Sequence, residues 1–197
     1  MPSKKKVALL IDGKSERAIL EKLDRTAHDF SPIKRDRNGK DVSAKAIANE
    51  CIEILGFSSK LHQSNIIIVD REDRTTSALT LETEIRNLIA ENFKGTFDLV
   101  VSDKMFENWI LADIENVSSK NPTLLNPTPN SKEYEGTHGA GQIESIWKTT
   151  HSKRFGSDKA GNCKKLFKHV RPLIGSTYSH SLHRFLQILQ KHEIKIY

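Results

Sequence analysis

The sequence predicts an α/β protein: a mostly parallel sheet sandwiched by helices, with a basic helical C-terminal extension. Three observations predict it. Short apolar runs, "VALLI" at Val7–Ile11, "IIIV" at Ile66–Val69 and "FDLVVS" from Phe97, have the length of buried strands. Each is followed by apolar residues at helical spacing, and strands alternating with helices pair in parallel through right-handed crossovers. Charge is unevenly placed: residues 148–197 hold eleven Lys/Arg against two acids, a balance of +9, whereas residues 1–147 hold 20 against 23.

The elements follow in order. The first run stops at "DGKSE", and Ala18, Ile19 and Leu23 then fall at helical spacing, so a strand turns into a helix at Asp12-Gly13. Gly13 permits a tight turn there. "FSPIKRDRNGKD" from Phe30 to Asp41 reads as a loop with room for a short edge strand. Over Val42–Leu55, Ala44, Ile47, Ala48, Cys51, Ile52 and Leu55 share one helical face, with Gly56 as C-cap. The strand at Ile66–Val69 leads to a helix over Leu79–Phe93, and the third strand leads to "FENWILADI", again helical. "SSKNPTLLNPTPNSKEYE", with three of the six prolines, is a loop. Helices around Gln142–Trp147, Ala160–Val170 and Ser181–His192 close the chain. The expected organisation is a core over 1–117, a loop-rich connection over 118–147 and a basic helical extension over 148–197 that packs on the core.

Composition narrows the class. A chain of 197 residues, 37% hydrophobic and 28% charged, supports one substantial core. Two well-separated cysteines and the lack of a leader pattern point to a reducing cytoplasm. No apolar run approaches the roughly 20 residues of a membrane helix.

The chemistry sits at strand ends, where open α/β sheets carry their sites. Asp12 and Glu16 follow the first strand, Asp70, Glu72 and Asp73 the second, and Asp103 and Glu107 the third. If these strands are neighbours the acids converge, and converging carboxylates repel one another unless a cation neutralises them. All-oxygen ligands favour Mg²⁺ or Mn²⁺. Arg71, Arg74, Lys148, Lys153, Arg154 and Lys159 are the cations expected to hold nucleic-acid phosphates. His138 and His151 are further candidates for a ligand or general acid, although no Cys/His spacing marks a zinc site. "THGAG" lacks the context of a phosphate loop. Taken singly, each of these charges is more ordinarily a solvated surface group.

"IDGKSE" followed by "VDRED" resembles the Toprim fold of primases, topoisomerases and OLD-type nucleases. "FENWILAD" is similar to the Glu-x-Trp-x-Leu-x-Asp signature of a small Toprim-like family of unknown function, encoded beside ATPases in bacterial defence islands. "SHSLHRFLQIL" resembles that family's ending. The resemblance implies metal ligands among Asp12, Glu16, Asp70, Glu72, Asp73 and Glu107, with Asp12 standing where the family pattern has Glu and Glu72 where Toprim enzymes have Asp. It implies a late catalytic lysine, Lys153 or Lys159, near the metals. Trp109 is expected in the core and Asp113 at a helix end. Two functions follow: a Mg²⁺- or Mn²⁺-dependent endonuclease on DNA or RNA, serving anti-phage defence with an ATPase partner and able to dimerise; or a degenerate Toprim-like module that regulates such a partner.

Overall fold

A computed structural model describes residues 3–37, 39–126, 134–148 and 154–197. Four strands, β1 (Lys5–Ile11), β2 (His28–Lys34), β3 (Ser64–Asp70) and β4 (Asp98–Ser102), form an all-parallel sheet in the order β2-β1-β3-β4. The three acid-bearing strands are therefore neighbours. Alternation along each strand feeds two core layers. Val7, Leu9, Ile11, Ile66, Ile68 and Val100 face one layer, and Ala8, Leu10, Ile67, Val69, Leu99 and Val101 the other.

Helices α1 (Ala44–Ser58) and α2 (Ala78–Asn92) cover the second layer. Each begins on a serine whose hydroxyl accepts a backbone N–H: Ser43 from Ala46 at 3.2 Å and Ser77 from Thr80 at 3.1 Å. The first layer is covered by a 3-10 helix at Ser15–Glu21 and by α3 (Glu107–Leu111), α4 (Ile114–Lys120), α5 (Gly139–Ile146), α6 (Lys159–Phe167), α7 (Pro172–Gly175) and α8 (His180–Lys191). A second 3-10 turn, Phe155–Asp158, precedes α6.

The edge strand for which the segment from Phe30 has room is β2, which begins at His28 and pairs with β1 along its whole length. Three expectations need correction. The helix after β1 is a 3-10 helix. Gly56 lies inside α1, which ends at Ser58. The segment from Ser118 is helical as far as Lys120, while 127–133 lie outside the described residues. Cys163, Leu166, Phe167, Leu182, Phe185 and Leu189 of the basic tail share one core cluster with residues of β1 and β3. Among the described residues, no helix is long and apolar enough to cross a membrane.

Both sheet edges are managed. The β1–β2 ladder runs through Lys5 N–H to Ala27 O and Arg35 N–H to Ile11 O, so even-numbered residues of β2 turn their main-chain groups outward. Pro32 is one of these, and costs the ladder nothing while withholding a donor from the open edge. On β4, Arg86 and Arg184 donate to the outward carbonyls of Leu99 and Val101 at 2.8 and 2.9 Å, and Glu82 accepts the Val101 N–H at 3.1 Å. Three side chains thus supply the hydrogen bonds of a missing fifth strand.

Candidate metal centre at the carboxyl end of the sheet

Strand order and register gather acids from three elements. Asp70 ends β3 beside its register partner Ser102, whose hydroxyl donates to Asp70 Oδ1 at 2.5 Å. Glu16, on the 3-10 helix after β1, accepts the Gly13 N–H at 2.9 Å. A Cβ at position 13 would stand 3.1 Å from that carboxylate oxygen, so glycine gives Glu16 its place. Glu107 opens α3 with no exposed surface. Its Oε1 pairs with Lys159 Nζ at 2.9 Å and accepts from Cys163 Sγ at 3.4 Å. Its Oε2 is buried without a hydrogen-bond partner among the described residues.

These groups feel one another. Burial drives the Asp70 carboxyl well above the usual carboxylate range, and the charges of Glu16 and Glu107 push it further. Burial also raises Glu16, with Glu107 adding to the rise. Glu72, half-buried, is raised by burial, then lowered by Lys159 and raised by Glu107, which puts it at the rim of the same cluster. Burial pulls the Lys159 ammonium down, yet Glu107 beside it holds the group above its ordinary value. One lysine thus stands against three buried carboxylates. The surplus charge calls for a proton or a cation.

Asp12 is placed differently from its expected role. It pairs with Arg35, a guanidinium with no exposed surface, and its Oδ2 accepts the Asp70 N–H at 2.8 Å. Arg35 also lies 3.6 Å from Glu50, whose carboxylate takes the Asp36 and Arg37 amides. Asp12 therefore braces the end of β3 rather than presenting both oxygens to the cluster. Asp73 is exposed and pairs with Lys104 at 3.1 Å.

The expected phosphate cations also divide. Arg71 pairs with Asp103 at 2.6 Å and donates to the Arg74 and Thr76 carbonyls. Arg74 donates to the carbonyls of Asp70, Arg71, Gly39 and Val42. Arg71 ties the loop after β3 to the loop after β4, and Arg74 ties it to the loop after β2; Glu72 (φ 57°) and Lys104 (φ 70°), in the loops after β3 and β4, hold left-handed conformations that cost a non-glycine residue energy. All three nitrogens of the Arg74 guanidinium donate to backbone carbonyls, and Arg71 is held through its Nε and Nη1. Lys148 donates to Pro122 O at 2.6 Å, and Arg154 is exposed before the second 3-10 turn. Lys153 and His151 lie outside the described residues. His138 caps α5 through Nδ1, which accepts the Gly141 N–H at 3.0 Å. Arg35 and Ser102 were not anticipated. The register of β4 against β3 is what brings Ser102 to Asp70.

Two further residues of "FENWILAD" pack and bond within the fold. Trp109 stacks on Phe185 at 5.1 Å and donates to Ser181 Oγ at 2.8 Å. Asp113 takes a two-pronged bond from Arg171 at 2.7 and 3.0 Å.

The donor set suits a hard divalent cation: the converging groups are carboxylate oxygens, and Glu107 Oε2 is a buried acceptor still lacking a donor. Among the described residues no three His, Cys, Asp or Glu side chains close into a complete ligand set. A cation at this cluster would require the three acids to come closer together than they stand here. Comparison of the chain with protein-family models, curated proteins and solved structures gives no match.

Proposed function

We propose that this chain is a Toprim-like, Mg²⁺- or Mn²⁺-dependent phosphodiesterase acting on nucleic acid. What carries it is the convergence of Glu16, Asp70 and Glu107 with Lys159 at the carboxyl end of a parallel sheet. Glu16, Asp70 and Glu107 would hold the cation, with Glu72 at the rim. When bound, such an ion activates water and neutralises charge building on phosphate oxygens.

The chain's own residues prepare that chemistry. Gly13 N–H holds Glu16, and the Ser102 hydroxyl holds Asp70. Asp12 receives the Asp70 amide and so sets the end of β3. Lys159, half-exposed beside Glu107, can turn its ammonium to a phosphate oxygen once a cation takes over its neutralising role. ATPase pairing and a defence role belong to the resemblance and are part of the same proposal.

A regulatory module without catalysis is the alternative. It is favoured by Asp12, whose carboxylate is engaged by Arg35 where the family pattern has a longer acid. Incubation of the purified protein with plasmid, single-stranded DNA and tRNA, with and without Mn²⁺, decides between them. Mn²⁺-dependent cleavage is expected. Asp70→Asn should abolish it, and Lys159→Ala should slow it by about 100- to 1,000-fold, as loss of a preorganised charge contact does. Absence of cleavage on all three substrates, with a neighbouring ATPase supplied, would leave the regulatory module.

A further inference from the structure

We propose that a cleft of about 370 Å³ between the first 3-10 helix and α6 carries the phosphodiester backbone of a nucleic-acid strand into the acid cluster. This rests on the phosphodiesterase reading above. The cleft is lined by Lys14, Arg17, Arg25 and Lys164, and its floor includes Ala18 and Ala160. Lys164 is paired with Glu21 at 3.0 Å. The side chains of Lys14, Arg17 and Arg25 are exposed and carry no partner among the described residues. They are unlike Arg74, whose guanidinium nitrogens donate to backbone carbonyls.

Position gives the cleft its meaning. The two elements that wall it each carry a member of the cluster, Glu16 and Lys159. Glu16 points inward from the 3-10 helix while Arg17, the next residue, points out; Lys159 reaches Glu107 from the first residue of α6 while Ala160 and Lys164 line the cleft. Lys14 follows Gly13, whose amide holds Glu16. A strand lying along this seam would meet the cations of Lys14, Arg17 and Arg25 and the small apolar side chains of Ala18 and Ala160, on the two elements that also carry Glu16 and Lys159. Free cations at a helix seam recognise phosphate, and sequence plays no part in such contacts. A polyanionic strand fits better than a compact anion, because the three free cations come from the start of the helix, its middle and the loop beyond it.

Binding can be separated from cleavage. Fluorescence anisotropy with labelled 20-nucleotide single-stranded DNA, the same RNA and a duplex is measured in EDTA and again in Ca²⁺, across a salt series. The triple variant Lys14→Ala/Arg17→Ala/Arg25→Ala should bind at least about tenfold more weakly at low salt, and its slope of log affinity against log salt should fall by about 0.7 per lost contact for a single strand or 0.9 for a duplex. The preferred arm names DNA or RNA as the strand. Lys60→Ala/Lys94→Ala, at the opposite end of the sheet, should bind as wild type does, and Asp70→Asn should bind while failing to cut. Circular dichroism melting verifies that the triple variant is folded. Wild-type affinity and slope in the triple variant, no binding by wild type in either buffer, or equal binding of polyglutamate would each overturn the proposal. A wild type that binds through the cleft but never cuts would overturn only the phosphodiesterase reading.

Discussion

A guanidinium with no exposed surface, as at Arg35, is stable only where carboxylates offset its lost hydration, and Asp12 and Glu50 do this. The result is that the end of β1, the end of β2 and α1 are locked together one residue from the acid cluster. Asp70 shows the opposite situation: it is buried near two other acids. Its raised pKa, caused first by burial and then by Glu16 and Glu107, makes it a liability to the folded state at neutral pH. The sign follows from linkage. A carboxyl whose folded pKa lies above its unfolded value of about 3.9 contributes most below that value and loses its contribution as pH rises through the folded pKa. In EDTA, wild-type stability should therefore fall as pH is raised from about 4 towards neutrality, and Asp70→Asn should fall less steeply. Mn²⁺ at pH 7.5 should restore wild type and leave the variant nearly unchanged, because a cation that binds only the folded state stabilises it. Urea midpoints across pH, with and without Mn²⁺, measure this; equal slopes for the two proteins would place the repulsion elsewhere.

At the scale of elements, the alternation of apolar runs with helical faces made β1, β3, β4, α1 and α2 legible, because strands buried on both faces read as continuous apolar segments. β2 was obscured. Its residues are mostly half-exposed at an edge, and Pro32 reads as a loop signal when its outward position in the ladder is not yet known. Glu16, Asp70 and Glu107 were legible as strand-end acids. Arg35 was not, since its partners at Asp12 and Glu50 lie far along the chain and no local pattern announces such a pairing. The edge of β4 was equally hidden, because Glu82, Arg86 and Arg184 come from two helices far apart in the chain. Removing the carboxylate by Glu82→Ala leaves the Val101 N–H without its acceptor and two guanidinia without a counter-charge. A loss of about 1–3 kcal/mol is expected, the usual cost of a buried group left unsatisfied. With the edge reopened, light scattering should also detect self-association on warming. A variant as stable and monodisperse as wild type would mean that water replaces Glu82 at that edge.

At the scale of the whole molecule, one core joins the two halves of the sequence and positions the site. Phe106 packs on Phe167 at 5.1 Å and Trp109 on Phe185 at 5.1 Å, so α3 is seated between α6 and α8. Trp109 also donates to Ser181 Oγ, and Glu135 accepts the Ser181 N–H at 2.8 Å and the Ser179 hydroxyl at 2.6 Å. Because Glu107 leads α3 and Lys159 leads α6, their 2.9 Å contact exists only when those aromatic layers are packed. Three consequences can be measured together. Wild type should unfold in urea as a single transition by both tryptophan fluorescence and far-ultraviolet circular dichroism. Residues 1–147 alone should fail to give a cooperative transition, since the first core layer loses Phe155, Cys163, Leu166, Phe167, Leu182, Phe185 and Leu189 at once. Trp109→Ala should cost about 3–5 kcal/mol, the range for emptying a large buried aromatic site. It should also weaken the Mn²⁺-induced rise in melting temperature, although Trp109 touches no carboxylate of the cluster, because the position of Glu107 depends on it. If residues 1–147 fold cooperatively and gain the same increment from Mn²⁺, the cluster is assembled by the sheet alone and α6 contributes only Lys159.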